Sequence, residues 1–469
     1  MNRDGTQPMS QRRIDRRSDG RFDLNTRLSM VDFNHANQSS SNRIVQTMPE
    51  TTPPYSRRTV PASEIDFQAS DAKKVLDFVQ ILGKEKDTKD LKYADKPSAT
   101  ATKAYTISYL ILFAILGTLA RLGLQALTFF PGAPIIFSEL WANFAGTVVM
   151  GFLMEDRKLF LEEWGTPIYA NERLRAMHYP EDETRSLDLA AAKKAHAATK
   201  KTIPLYIGLA TGFCGSFTSF SSFIRDTFLA LSNDLPTPLG HPTDLGANGT
   251  ELTTVSPTVP RNAAFSILAV LAVLVITLSL CVRGLYLGIQ MAEFLDPYTP
   301  TLSYTFTRQF LDRFVVILAL GSWTTVTILA IFPPNPNWRG IALFALVFAP
   351  LGCLARFYAS MYLNSYFPQF PLGTFFVNIL GTAILGMAFD FQHSATASVI
   401  SCQVFQGLMD GFCGCLTTIS TWIVELTTLK KVAAYSYGSL SVAVALALLV
   451  AIMGTFRWTV GFATLKCVH

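Results

Sequence analysis

Two asparagines stand in the middle of long apolar stretches, where a polar side chain is costly. Asn143 lies in WANFAGTVVMG and Asn378 in FVNILGTAILG, and each is followed four residues later by a threonine, Thr147 or Thr382. Residues four apart share one face of a helix. An amide away from water must meet a partner, either a polar group of another helix or an ion or water in a pore. We favour a pore-lining role, and an interhelical bond is the alternative. The glycine directly before each threonine predicts close helix contact.

A second pair of segments, GFCGSFTSFSSF at 212–223 and GFCGCLTTISTW at 411–422, places glycines and a run of hydroxyls inside an apolar span. Such residues weaken a helix and free its carbonyls, which is tolerated at membrane depth only where something satisfies them. Two breaks that meet would form a cage of carbonyl oxygens suited to a small hard cation, and a packing kink is the equal alternative. Phe220 and Phe223 share a helix face, and the positive edge of an aromatic ring can face an anion. On this motif alone, aromatic core packing is the simpler interpretation.

The same polar residues return at matched positions, which indicates two copies of one module. GTLAR at 117–121 recurs as GCLAR at 352–356. Arg121 and Arg356 lie 235 positions apart, as do the two asparagines. Repeated polar groups at one depth of an apolar helix are typical of a functional pathway. The arginines could anchor helix ends, snorkel to the interface or place positive potential at a vestibule, and anchoring is the simplest of these roles.

These residues require long apolar elements to position them, and the chain has nine. Half of its residues are hydrophobic and only 16% are charged. Each apolar stretch is near the ~20 residues that cross a bilayer. The predicted fold is therefore an all-α polytopic membrane protein with helices at about 105–130, 135–155, 203–231, 262–290, 312–332, 340–364, 370–392, 400–428 and 433–457. The charge-rich residues 1–100 predict a disordered cytoplasmic tail, and no signal-peptide segment follows the first methionine.

An odd helix between two similar halves is typical of an inverted repeat. Each four-helix module ends on the side where it began, so helix five turns the second copy over. We predict a tail at 1–100, a first repeat at 101–291, a linker with helix five at 292–335 and an inverted second repeat at 336–469. The basic loop from Asp156 to Lys201 predicts a cytoplasmic N-terminus and an extracellular C-terminus, and a glycosylation sequon at Asn248 in a predicted external loop agrees.

The chain has seven cysteines, an odd number without C-x-x-C spacing. This count argues against a disulfide framework or a metal site.

Together these motifs resemble the Fluc/CrcB fluoride channel family, and in particular its eukaryotic fluoride exporters (FEX). GTLAR, the N-x-x-G-T helix and GFCGSFTSFSSF are similar to three signature segments of the family, in order, in both halves, over about residues 105–457. The resemblance implies a fluoride pore lined by Asn143, Asn378, Phe220, Phe223, Thr147, Thr382, Ser222, Thr421, Tyr437 and Ser441. It also implies a central structural Na+ on the backbone carbonyls of Gly215, Thr218, Gly414 and Thr417, with no organic cofactor. Arg121 and Arg356 would then lie at a vestibule or serve as anchors.

The two halves depart from each other at the pore positions. The second half has Ile419 and Trp422 in place of the two phenylalanines of the first. Helix four has Phe265 and Ala269 in place of the tyrosine and serine of helix nine. We therefore expect one working pore, whose polar track uses the helix-nine residues, and one vestigial pore.

The resemblance implies a passive, fluoride-selective channel that exports cytosolic fluoride across the plasma membrane and gives fluoride resistance. No HExxH, Walker or GxSxG motif is present, so we expect no enzymatic activity. The expected partners are fluoride and the lipid bilayer, without nucleic acid, and a monomer is expected because both repeats lie in one chain. Two alternatives stay open. One is a coupled fluoride or small-anion transporter, for which Asp226, Asp410 and Glu425 are the few acids near the spans. The other is a non-transporting membrane scaffold.

Overall fold

The computed structural model describes residues 98–128, 130, 135, 137, 139–160, 196–235, 262–303 and 305–467. Within these ranges the chain is helical and forms no β-strand. The predicted disorder of the tail, apart from its last residues, and the predicted sequon at Asn248 fall outside the described residues. So do most of the basic residues of the loop between helices two and three.

Nine apolar helices are formed by the described residues, as the hydropathy pattern predicts. They are α1 (Ala99–Thr128), α2 (Leu140–Glu155), α3 (Pro204–Ser232), α4 (Ala263–Leu295), α5 (Phe306–Ile331), α6 (Arg339–Leu363), α7 (Leu372–Gln392), α8 (Val399–Thr428) and α9 (Lys431–Thr459). Eight of them are long and apolar enough to cross a membrane, so the protein is a multi-pass membrane protein. The remaining helix, α2, has 16 residues and begins five positions later than predicted. At 1.5 Å per residue it measures about 24 Å, short of the ~30 Å hydrocarbon core.

Helices α3 and α8 are broken at the hydroxyl-rich segments, which confirms the predicted interruption of each span. In α3 a π-helix at Gly208–Cys214 leads into a short helical turn at Gly215–Phe217. Thr218 and Ser219 are then extended, and the helix resumes at Phe220. The corresponding parts of α8 are the π-helix Leu408–Cys413, the turn Gly414–Leu416, an extended Thr417 and a helix that restarts at Ser420.

The broken helices lie at the centre and others at the periphery. In its most apolar window, 83% of α3 is buried, compared with 17% for α4 and for α5. The outward faces of α4 and α5 carry exposed leucine, isoleucine and phenylalanine, as expected of helices that face lipid. The polar breaks are therefore shielded from lipid by apolar helices.

The linker helix α5 is fastened to both halves by polar contacts. Tyr109 of α1 donates to the Asp312 carboxylate of α5 at 3.0 Å, and Arg308 pairs with the same carboxylate. Trp323 of α5 donates to the carbonyl of Val347 in α6 at 3.0 Å. Helix α5 thus packs between the halves in addition to connecting them.

A disulfide joins Cys402, near the start of α8, to Cys467 in the segment that follows α9. The expectation drawn from the cysteine count is therefore wrong for this pair, because the two residues are 65 positions apart and no spacing motif marks them. The other five cysteines are buried and free, in agreement with cysteine as a small apolar residue.

Candidate ion pathway

Both repeated asparagines bind the backbone where the helix of their own half is broken. The Asn143 Oδ1 accepts from the Ser219 amide at 2.8 Å, and its Nδ2 donates to the Ser219 carbonyl at 3.4 Å. Asn378 makes the same pair of bonds to Thr418, at 2.9 Å and 3.3 Å. Both side chains are fully buried. The interhelical bond that the sequence left as an alternative is therefore present, and contact with a permeating ion stays a prediction.

The threonines of the two breaks reach across to the opposite half. Thr218 Oγ1 accepts from the Ser420 amide at 3.1 Å, and Thr417 Oγ1 accepts from the Ser221 amide at 3.1 Å. Ser420 and Thr417 are the second-half counterparts of Ser221 and Thr218, so the contact is reciprocal. Each hydroxyl satisfies an amide in the first turn of the helix that resumes in the other half. The two breaks therefore meet, and neither half completes its own broken helix.

Arg121 and Arg356 are buried among backbone carbonyls in place of lying at exposed helix ends. Arg356 donates to the carbonyl of Thr211 at 2.6 Å, to that of Gly215 and to that of Thr417 at 3.3 Å. The side chain is 2% exposed. Since Thr211 and Gly215 belong to the π-helix region of the first half, Arg356 holds the broken helix of the opposite half.

Arg121 makes the corresponding contacts from the first half. Its guanidinium donates to the Ser216 carbonyl at 3.2 Å and to the carbonyl of Asp410, the counterpart of Thr211. It also lies 3.5 Å from the carboxylate of Glu139, which accepts from Gln125 at 2.6 Å. Both arginines therefore act as anchors of the breaks, and Arg121 alone of the two is paired with a carboxylate among the described residues.

The predicted sodium site can be tested against this geometry. The breaks that carry the carbonyls of Gly215, Thr218, Gly414 and Thr417 do meet, and neutral carbonyl oxygens suit a hard cation. Arg356 already donates to two of these oxygens, but a carbonyl oxygen has two lone pairs and keeps one for a cation. The type of donor suits Na+, and a structural Na+ at these oxygens, with the Arg356 guanidinium bound to two of them, stays a prediction.

The aromatic residues of the two breaks form one buried cluster. The rings of Phe220 and Phe223 meet edge to face with centroids 5.9 Å apart. Phe220 also meets Trp422 of the other half edge to face at 5.2 Å, and Ile419 belongs to the same core. The Trp422 side chain is 1% exposed, and its Nε1–H has no acceptor among the described residues. A buried donor without a partner is costly, so it marks a place where an acceptor is expected.

The predicted track on α9 is buried and polar. Tyr437 Oη donates to Glu425 Oε2 at 2.8 Å, and Ser441 Oγ donates to the Tyr437 carbonyl at 2.7 Å. The other oxygen of Glu425 accepts from Thr374 at 2.6 Å. On α4 the counterparts differ, because Phe265 is 56% exposed and points away from this centre. Sequence reasoning named Glu425 only as one of the few acids near the spans, although an acid inside an apolar span is by default a functional candidate.

Two of the remaining predicted donors, Thr147 and Thr382, are satisfied within their own helices. Thr147 donates to the Phe144 carbonyl and Thr382 to the Asn378 carbonyl, both at 2.7 Å. Ser222 accepts from Ser219 Oγ at 3.0 Å inside the first break. These hydroxyls can still accept a further bond. The structure thus brings the breaks, the aromatic cluster and the α9 track together, and it leaves Thr147 and Thr382 beside them on α2 and α7.

A cavity of ≈ 190 Å³ opens at one end of the molecule, beside the α9 track. Its wall combines cationic, hydroxyl and amide side chains with apolar ones. The polar members are Lys200, Lys201, Tyr206, Thr211, Arg356, Ser360, Asn364, Thr421, Glu425 and Thr428. Through Glu425 the cavity adjoins the hydroxyl of Tyr437, so it leads from the surface to the buried track.

The sequence is similar to those of known membrane transport proteins. The family described as CrcB-like protein, Camphor Resistance (CrcB), matches residues 108–240 and 343–455. The chain is 53% identical to fluoride export protein 1 of Neurospora crassa, over 80% of this chain and 70% of the relative. It is 32% identical to fluoride export protein 1 of Candida albicans, over 86% and 92% respectively. A fluoride-specific ion channel FluC of Acinetobacter baumannii is 34% identical over 24% of this chain and 89% of its own length. No solved structure matches. The protein belongs to the CrcB-like family.

Proposed function

We propose that the protein is a passive, fluoride-selective channel that exports cytosolic fluoride across the plasma membrane. The names of its relatives, fluoride export protein and fluoride-specific ion channel, support fluoride as the substrate. The observation that carries the proposal is the group of uncharged buried polar and aromatic side chains at the junction of the two halves. Trp422 contributes an indole N–H without an acceptor among the described residues, and Phe220 contributes a ring edge. The hydroxyls of Tyr437 and Ser441, which donate to Glu425 and to the Tyr437 carbonyl, line the same route. Neutral donors bind a small anion weakly enough to release it, which conduction requires.

The proposed pathway needs two halves of opposite orientation. The reciprocal threonine and arginine contacts support a two-fold relation between them, because residues and their counterparts exchange the same bonds. With a cytosolic N-terminus and nine crossings, the segment after α9 lies outside. A disulfide at Cys402 and Cys467 then falls on the oxidising side of the membrane, which favours this orientation.

In that orientation the cavity faces the cytosol. Fluoride passes from the cavity, past Thr421 and Glu425, to the hydroxyls of α9 and the aromatic cluster. An inside-negative potential drives the anion outward, at ~2.3 kcal/mol per 100 mV for one charge. The exposure of Phe265 on α4 supports a single working pore. Na+ bound to the carbonyls of the breaks would supply a fixed positive charge beside the route.

One observation favours a second candidate, a coupled fluoride transporter. Glu425 is a carboxylate that contacts the track directly, and a titratable group in a pathway can carry a proton. A measurement of the reversal potential in vesicles with a pH gradient distinguishes a channel from a coupled transporter. A potential that follows the fluoride gradient alone supports the channel, and one that shifts with the pH gradient supports coupling.

The experiment that tests the proposal is fluoride efflux, compared with chloride efflux, from vesicles that contain the purified chain. We expect fluoride efflux without chloride efflux. Trp422→Phe removes an N–H that is free to bind the anion, and it should lower fluoride efflux by roughly tenfold or more, because a hydrogen bond to a charged group contributes ~1.5–3 kcal/mol. Ser441→Ala removes a hydroxyl of the α9 track and should also lower fluoride efflux. Ala269→Ser on α4 is the matched control and should leave efflux unchanged. Wild-type rates in the first two variants together with an increase in the third would overturn the choice of pore.

A further inference from the structure

Lys200 and Lys201 are adjacent in the chain and line the same cavity, but their surroundings differ. The Lys200 ammonium donates to the carbonyls of Leu153, Met154 and Asp156 at 2.7 Å, 3.0 Å and 2.7 Å. It therefore closes the C-terminal end of α2, where carbonyls are left without helical partners. Within the described ranges no carboxylate pairs with Lys201 and no carbonyl accepts from it. Lys201 therefore lines the cavity wall, and its ammonium pairs with no carboxylate or carbonyl of the described residues.

The charges that face the cavity favour an anion. Three cations line it, Lys200, Lys201 and Arg356, against one carboxylate, Glu425. Glu425 accepts from Tyr437 and Thr374, and Arg356 is held by backbone carbonyls, so both are committed to neighbours. A concave site with low-dielectric walls concentrates the field of its charges and raises the local concentration of counter-ions. Lys201 is the cation of the wall best placed to act on an ion in the cavity.

We propose that Lys201 gathers fluoride into the cavity and so sets the rate at which the anion reaches the α9 track. This inference rests on the proposed function, since it names a capture residue for that same route. Lys201 acts before the neutral donors and does not contact the ion within the narrow part of the pathway. It resides in the segment that leads into α3 and not in the repeated motifs.

The charge of Lys201 should depend on pH near the physiological range. Burial lowers the pKa of Lys201 to about 8, because the ammonium loses water. A lysine is charged below its pKa, so capture should be strong at pH 7 and should fall as the pH on the cavity side rises through 8. The titratable and charged groups that face it are Lys200 in its own segment, Tyr206 of α3, Arg356 of α6 and Glu425 of α8.

The test uses fluoride efflux from vesicles at low ionic strength, with sodium fluoride as the probe. Lys201→Met keeps the stem and removes the charge, and we expect efflux to fall about tenfold. Lys201→Arg keeps a charge at every accessible pH, so it should retain wild-type efflux at pH 7 and lose the decline between pH 7 and 9. Lys431→Met is the matched control, since Lys431 is exposed at the start of α9 and outside the cavity wall, and it should change nothing.

High ionic strength distinguishes electrostatic capture of fluoride by Lys201 from a structural role of this side chain. At ~1 M ionic strength charges are screened beyond ~3 Å, so Lys201→Met should approach the wild-type rate if the lost effect is electrostatic. Equal efflux of Lys201→Met and wild type at low salt would overturn the inference while leaving the proposed function intact. So would a deficit that persists at high salt, because it would indicate damage to the fold. Absence of fluoride efflux in the wild type would instead remove the proposed function itself.

Discussion

Asn143 and Asn378 illustrate how a costly amide becomes useful inside a membrane helix. Each places one acceptor and one donor against the amide and carbonyl of a single residue of the break, Ser219 or Thr418. The sequence predicted that a polar partner is needed at this depth but could not identify it, because the partner is distant in the chain. Arg356 presents the same case, since its partners Thr211 and Gly215 belong to the other half.

Replacing either asparagine by alanine should destabilise the protein by similar amounts. Asn143→Ala leaves the Ser219 amide without its acceptor, and Asn378→Ala does so at Thr418, at about 1–3 kcal/mol for each buried group. Thermal unfolding of the purified variants in detergent should show lower Tm values for both. Asn337→Ala, at an exposed turn between α5 and α6, is the control. A wild-type Tm for either variant would contradict the role of the amide as a support of the break.

At the scale of elements, the breaks of α3 and α8 depend on close packing against α2 and α7. A Cβ added at Gly146 would overlap the methyl of Thr218, and one added at Gly381 would overlap that of Thr417. This confirms the close contact that the glycines predicted. Both threonines also hold the opposite half through their hydroxyls, so the methyl cannot move away without loss of a hydrogen bond.

Gly146→Ala and Gly381→Ala should therefore lower both stability and fluoride efflux. Overpacking of a tight core typically costs about 1–3 kcal/mol, and displacement of either threonine separates the breaks. Gly321→Ala in α5 is a matched control, because nothing lies within 4 Å of an added Cβ there. Alanine is the better helix former, so this control should be neutral or slightly stabilising. Normal efflux and Tm in both test variants would show that the breaks tolerate separation.

The nine helices could largely be predicted from the sequence, but the contacts between them could not. Apolar stretches of about the thickness of a bilayer identify helices from local sequence, which is why all nine were found. Helix α2 begins directly after Glu139, whose carboxylate lies 3.5 Å from Arg121, a contact that the local sequence does not indicate. The disulfide between Cys402 and Cys467 depends on where two distant segments meet, and no local pattern carries that information.

At the scale of the whole molecule, the proposed orientation can be measured with single cysteines. All seven native cysteines are either buried or joined in the disulfide, so they leave a low background. Ala395→Cys lies in the exposed turn between α7 and α8. Lys431→Cys lies at the start of α9, beside the opposite end of α8. An impermeant maleimide applied to intact cells should label the first variant alone and reach the second only after permeabilisation. The reverse pattern would place the cavity on the outer face.

In the proposed inverted repeat, one chain holds both orientations of the module, so we expect it to insert into the bilayer in one way only. Two separate copies lying head to tail would offer the same mouth to either compartment, and any preference of one would cancel that of the other. Here the turn between α7 and α8 spans only residues 393–398 and contains no lysine, whereas the segment before α3 brings Lys201 to the cavity. In the proposed orientation the two mouths of the route therefore differ in charge, and every molecule that inserts in this orientation presents the Lys201 side to the cytosol.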